Sequence, residues 1–291
     1  MRYLHVDVLT GLPFSGNSLA VFPEAEGLSG DQMQRITQEM RHFESIFLLP
    51  DGTPEARSRR ARVYDLTQEL DFAGHPVVGA ACVLHALHGG DTPETWTLRL
   101  KARTVRVSTE RRAPGRYASV LDQGPAAFLG RLDPADAKGL AAWFGLDADD
   151  LDPDLPPEVV STGLRYLVLP VRGGALARAD IRSDITHQLD RFDAQFAYLL
   201  DAGALEARHW DNDGTTEDVA TGSGAGCAAA YLRRHGRIDD GEAVTLRQGR
   251  FTGRVGEMTI SACGHGTDID SVRVGGEVAF VGEGRLEVLP R

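Results

Sequence analysis

The sequence predicts an α+β fold built from two similar halves, on three observations. Strand-like segments far outnumber helical ones and show no steady strand–helix alternation, which disfavours a doubly wound parallel sheet. A chain of 291 residues is long for one core, so two domains are expected. Finally, two glycine-marked helix starts with one local grammar stand about half the chain apart.

The first is Asp71-Phe-Ala-Gly-His-Pro-Val-Val-Gly-Ala-Ala-Cys82, where a helix is expected from near Pro76, a residue suited to the first helical position. The second is Asp218-Val-Ala-Thr-Gly-Ser-Gly-Ala-Gly226, running into an Ala-rich helix. Its glycines permit a tight turn and close approach of a ligand, and the first amides of the helix can bind an anion. The repetition reads as an internal duplication; two unrelated glycine-containing helix starts would look the same.

The elements follow in order. Tyr3–Val8 alternates as a strand, 11–17 is a loop, and Leu19–Phe22 resumes extended structure. Ser29 with Gln32 forms a capping-box pattern, and Met33, Ile36 and Met40 share one face of the following helix as core. Glu44 stands before the apolar run 45–49. Phe43, Ile46 and Phe47 would desolvate it and raise its pKa, as suits a group that takes and returns a proton; a strand-end Glu paired with Arg41 or facing water is the alternative.

Strands are expected at 61–66, 95–100, 104–108 and 117–121, with a linker between halves at 122–130. Asp133-Pro134 opens an amphipathic helix to about Phe144, and the aspartates of 147–154 form a solvated loop without a calcium pattern. Arg165–Val171 is a buried strand, a helix is expected around 190–200, and 210–217 is a polar approach to Asp218. Strands at 245–247, 256–261 and 271–281 close the chain.

Composition narrows the function. The formal charge of -11 disfavours nucleic acid and anionic membranes as partners, but not a small anionic substrate. The N-terminus lacks signal-peptide character and no apolar run reaches spanning length, so a cytoplasmic enzyme is expected. Cys82, Cys227 and Cys263 lack metal spacing and read as buried reduced thiols. His85 and His88 share a helix face without a third ligand, so no metal is expected. The 218–226 loop has Cys227 where a dinucleotide fingerprint needs glycine, Ser223 is no nucleophile elbow, and no Lys completes a phosphate loop. What remains is a loop binding a carboxylate or amide through backbone amides, with Asp218, Thr221 and Ser223 as side-chain contacts. His75 could donate a hydrogen bond or shuttle a proton, or be merely structural.

Phe14-Ser-Gly-Asn-Ser-Leu-Ala-Val21, Glu44, Gly74-His-Pro76, Ser161-Thr-Gly163 and Asp218 to Ser223, in this order, resemble the phenazine-biosynthesis isomerase (PhzF-like) family over nearly the whole chain. The resemblance implies the diaminopimelate epimerase fold: two similar halves, each a mostly antiparallel sheet wrapped around a central helix, with the active site in the cleft between them. The halves would be 1–121, with Glu44 and the Gly74 helix start, and 122–291, with the 218–226 loop; the last strand can return to the first half. It implies a cofactor-independent isomerase, commonly a homodimer, shifting a proton and double bond on a small carboxylated substrate. Glu44 matches the catalytic acid/base, and Asn17, Gly74, His75, Asp218, Thr221, Gly222 and Ser223 would bind substrate. A one-carbon racemase or epimerase, or a non-catalytic binding protein of the same fold, are the alternatives. Related epimerases use two thiols, whereas this chain has Glu44 and Thr221 at those positions. It also departs from the family at Phe43, Ser18, Val219 and Val77-Val78. The drier, narrower pocket that Phe43 would make tells against the phenazine precursor as substrate, with the reaction type kept.

Overall fold

The computed structural model describes residues 1–53, 55–132 and 134–291. Two compact units divide it: Met1–Asp122 with Gly275–Arg291, and Gln123–Val274.

The first unit contains strands β1 (Arg2–Val8), β2 (Asn17–Phe22), β3 (Glu44–Leu49), β4 (Ser58–Asp65), the short β5 (Glu69–Leu70), β6 (Glu94–Arg99), β7 (Thr104–Ala113) and the first part of β8 (Arg116–Arg131). Helices α1 (Gly30–Met40) and α2 (Gly74–His88) interrupt them. The last strand of the chain, Asp268–Arg285, pairs with β1 on one side and β8 on the other, so the order last strand-β1-β2-β3-β4-β6-β7-β8 closes on itself. Hydrogen bonds from Phe280 N to Gly115 O and from Ser119 Oγ to Gly276 O lie along that closure.

α2 fills the ring. Every residue from His75 to His85 is buried, and the helix touches β1, β2, β3, β6 and β7. A helix apolar on all sides is stable only when surrounded in this way. Gly79 is where it comes nearest the sheet: a Cβ there would stand 2.6 Å from the Leu19 side chain and 2.9 Å from that of Val8. α1 packs elsewhere, with Met33 and Ile36 joining Phe22, Phe47 and Tyr64 in a separate core, as its periodicity predicts. Its Ser29–Gln32 capping box is present in both directions.

The second unit repeats the plan with the rest of β8, then β9 (Glu158–Ser161), β10 (Arg165–Pro170), β11 (Phe196–Asp201), β12 (Glu206–Arg208), β13 (Val244–Gln248), β14 (Gly256–His265) and the start of the last strand, now β15. Its helices are α3 (Pro134–Trp143), α4 (Thr186–Asp190) and α5 (Gly222–Arg234). Among the pairs whose register is described, strands of the second unit run antiparallel except at β10–β11 and β12–β13, and those of the first unit antiparallel except at β2–β3 and β4–β6. A parallel pair needs a crossover, and in each unit the second crossover carries the buried helix, α2 or α5. The duplication suspected from two helix starts is thus repeated in strand direction.

Several expectations are corrected. The helix expected around 190–200 is shorter and earlier, and 196–201 is a strand paired in parallel with β10. Both strands are covered, so Phe-Ala-Tyr-Leu-Leu shows no alternation and imitates a buried helix. The units divide at Asp122 and Gln123, within the linker expected at 122–130, but that stretch is strand, part of β8. Asn17 opens β2 instead of lying in a loop, and α2 begins two residues before Pro76. In the 147–154 stretch, Ala148–Asp150 forms a 3-10 turn whose Asp150 pairs with Arg178. Asp133, expected to open α3, lies outside the described residues. Cys263 is half-buried; only Cys82 and Cys227 are fully buried.

Candidate functional site

In the first unit three element starts converge. β2 opens on Asn17, β3 on Glu44, and α2 on Gly74-His75, while the parallel β2–β3 register sets Leu19 beside Glu44. Glu44 is 8% exposed and His75 6%, and Glu44 Oε2 stands 3.5 Å from His75 Nε2. On the other ring nitrogen, Asn17 Nδ2 lies 3.4 Å from His75 Nδ1. With the Asn17 amide nitrogen as the donor, Nδ1 accepts, and a proton on Nε2 would face the carboxylate. Arg41, offered as a partner for Glu44, is exposed and ends α1 in a left-handed conformation. Phe43, expected to dry the surroundings of Glu44, is itself 38% exposed. It lies in the bend that precedes β3.

α2 begins without a side-chain cap, because Ala73 at the cap position has no hydrogen-bonding group to offer. Beside Asn17, Ser18 bridges two histidines that sequence reading passed over: its Oγ is 2.9 Å from His5 Nε2 and 2.7 Å from His42 Nδ1. Asp7, also buried, accepts from the Phe14 amide at 2.5 Å and so anchors the loop leading to Asn17.

In the second unit Asp218, Thr221, Gly222 and Ser223 come together at the start of α5. Asp218 Oδ1 accepts from the Ala220 amide at 3.3 Å, and its Oδ2 accepts from the Thr221 hydroxyl at 2.6 Å. Gly222 O accepts from Gln123 Nε2 at 2.9 Å, and the Ser223 hydroxyl meets the Tyr166 hydroxyl at 2.7 Å. Gly224 is required by the Tyr198 ring, which would stand 2.6 Å from a Cβ. Thr162, of the Ser161-Thr-Gly163 stretch, bonds Gln123 Oε1 at 2.6 Å and so supports the helix start from behind. Gln248, fully buried, is bonded to Thr221, Tyr198 and the Asp218 carbonyl. Gln123, Tyr166 and Gln248 carried no local sequence signal, since each is far along the chain from what it holds.

Burial pushes the thiols of Cys82 and Cys227 up to about 12, and Cys227 Sγ donates to Val160 O at 3.3 Å. Such thiols stay protonated and packed. His85 uses both ring nitrogens, on Thr109 Oγ1 and Gly90 O. Among the described residues, no cluster of His, Cys, Asp and Glu is arranged to hold a metal ion, and no helix is long and apolar enough to cross a membrane.

Comparison with known proteins gives these clusters a setting. The family model for phenazine biosynthesis-like proteins (PhzC-PhzF) matches residues 6–284. A trans-2,3-dihydro-3-hydroxyanthranilate isomerase of Pseudomonas aeruginosa is 32% identical, over 98% of this chain and 98% of its own. Among solved structures, a protein from Pseudomonas aeruginosa described as a predicted epimerase superposes with a TM-score of 0.91 at 45% identity, covering 99% of both chains. A probable proline racemase from Agrobacterium radiobacter shares the fold alone, with a TM-score of 0.61 at 14% identity over 99% of this chain and 93% of its own. With this kinship and a duplicated sheet-around-helix architecture of diaminopimelate epimerase type, the chain belongs to the phenazine biosynthesis-like family and is an enzyme of the isomerase class.

Proposed function

We propose that the enzyme is a cofactor-independent isomerase that moves a proton, and with it a double bond, on a small carboxylated metabolite, with Glu44 as its single acid/base. The observation that carries this reading is the buried Glu44 carboxylate facing His75 Nε2 at 3.5 Å. One carboxylate suffices when both carbons present the same face, because the group that collects the proton can return it. A positioned group of this kind contributes about 10² to 10⁴ in rate. His75, held by Asn17, would donate to the substrate as negative charge develops, and Gly74 would offer backbone. The first-turn amides of α5 suit a substrate carboxylate, while Asp218 and Ser223 suit its hydrogen-bonding substituents. Assembly as a homodimer is part of the same proposal, and sedimentation would refute it by returning a species of 31.5 kDa.

The relatives' trans-2,3-dihydro-3-hydroxyanthranilate is the first substrate to try, in deuterated water, with wild type beside Glu44→Gln. Deuterium at a new carbon with a moved double bond, lost by at least about 10²-fold in the variant, is the expected result; exchange that survives Glu44→Gln refutes the assignment. The similarity to a described epimerase favours a second reading, one-carbon epimerisation, whose mark would be label with inverted configuration and an unmoved double bond. A two-thiol version of it is poorly served here, as Cys82 and Cys227 are packed and protonated.

A further inference from the structure

We propose that Gln248 is a positioning residue for the substrate-binding turn: it directs the Thr221 hydroxyl proton to Asp218 and thereby keeps that hydroxyl from capping α5. This rests on the functional reading above for its meaning, but its geometry lies wholly within the second unit.

A primary amide has two acceptor sites and two donors, and all four of Gln248's are used. Oε1 accepts from Tyr198 Oη at 2.8 Å and from the Thr221 amide at 3.2 Å; Nε2 donates to Asp218 O at 2.8 Å and to Thr221 Oγ1 at 2.8 Å. The flipped amide would set two N–H groups against the Thr221 N–H and an oxygen against the Asp218 carbonyl, so the orientation is fixed. Burial raises the Tyr198 phenol well above its ordinary value, so it is neutral and donates.

The consequence is directional. Thr221 Oγ1 accepts the Gln248 N–H at 2.8 Å and donates its single proton to Asp218 Oδ2 at 2.6 Å, so the two bonds together set the direction of the hydroxyl. Asp218 Oδ2 is the acceptor in that bond. Thr221 stands at the cap position of a thirteen-residue helix, with φ -101 and ψ 91, where Thr ordinarily bonds the second or third amide. It makes no such bond. Those amides, of Ser223 and Gly224, are the ones an anionic substrate group would use.

The test needs no turnover, so it stands or falls apart from the Glu44 experiment. Residue-resolved amide hydrogen exchange is measured on wild type, Gln248→Met, Gln248→Glu and Thr221→Val. In Gln248→Met the Thr221 amide loses its acceptor and should exchange about fivefold faster, while the released hydroxyl caps the helix and slows Ser223 or Gly224 about fivefold. General loosening would quicken all of these amides, so unchanged or faster exchange at both Ser223 and Gly224 overturns the proposal. Thr221→Val tests the premise, an uncapped α5, even where Gln248→Met does not fold. Exchange at Ser223 and Gly224 should match wild type, and quickening there would show that Thr221 already caps α5. Gln248→Glu, which keeps the acceptor for the Thr221 amide but removes the N–H to Thr221 Oγ1, should likewise slow Ser223 or Gly224, and unchanged exchange at both overturns the proposal.

Discussion

Arg208 offers the sharpest test of how the second unit delivers Asp218. Its guanidinium, 9% exposed, binds Glu217 in two parallel contacts of 2.8 and 2.6 Å, donates to Leu176 O at 2.5 Å and Ala179 O at 2.8 Å, and lies over the rings of Trp210 and Phe251. Glu217 precedes Asp218, bridges to Trp210, and is followed by the Asp218 amide donating to His209 O at 3.0 Å. Arg208→Met strands a carboxylate that is 13% exposed, and two carbonyls. Removing one partner of a buried ion pair costs roughly 3–5 kcal/mol, which for a unit of this size lowers Tm by roughly 6–20 °C. Glu217→Gln keeps shape and part of the bonding and should cost less. The double variant leaves no stranded charge, so its loss should fall well short of the two single losses added. Urea titrations followed by tryptophan fluorescence, with unchanged slope, give the numbers. A loss below about 1 kcal/mol for Arg208→Met, as for an exposed pair, or additive losses in the cycle, would refute the clamp.

Other outcomes follow from single contacts. Gly79→Ala should destabilise the first unit by about 1–3 kcal/mol through overpacking on Leu19 and Val8, although alanine is the better helix former; a stabilised variant in thermal melts would contradict the close approach. A thiol reagent at neutral pH should modify half-buried Cys263 and reach Cys82 and Cys227 only on unfolding, as peptide mapping would show. The same two thiols set an alkaline limit. Their folded values rise from 9.0 to about 12, so above pH 9 the unfolded chain releases protons the folded chain keeps. Stability is therefore full below pH 9 and falls by about 1.4 kcal/mol per pH unit for each thiol above it. Cys82→Ala with Cys227→Ala should flatten that limb of a urea-midpoint profile, and an unchanged slope would exclude it.

What the sequence disclosed was what neighbouring residues decide among themselves. The Ser29–Gln32 box spans one helical turn, Met33 and Ile36 are one turn apart, and the apolar run after Glu44 marks strand β3 while leaving the role of the carboxylate open. What it withheld depends on distant partners. β11 became a strand because β10 lies parallel beside it, and nothing in Phe-Ala-Tyr-Leu-Leu states that neighbour. His5 of β1, Ser18 of β2 and His42 of the segment before β3 meet, and Gln248 reaches Thr221 from another element altogether. A side chain whose use is set by tertiary pairing has no local periodicity to betray it.

The way each helix begins ties these scales together. α1, which packs in its own core, starts with a complete capping box, the local choice that favours a helix. α2 starts after Ala73, which cannot cap, and α5 after Thr221, which could but is turned toward Asp218. In each case about 1 kcal/mol of available helix stability is forgone, once by residue type and once by a hydrogen-bond network recruited from β11 and β13. Local rules are most often broken where a chain needs its backbone groups for something other than folding. Both breaks here adjoin residues proposed to meet the substrate, His75 at one start and Ser223 at the other. If those starts were only structural, installing a cap should be harmless as well as stabilising. Ala73→Ser should then raise Tm by about 2–4 °C and leave turnover unchanged, whereas a gain in stability with a loss of turnover would mark the open helix start as part of the site.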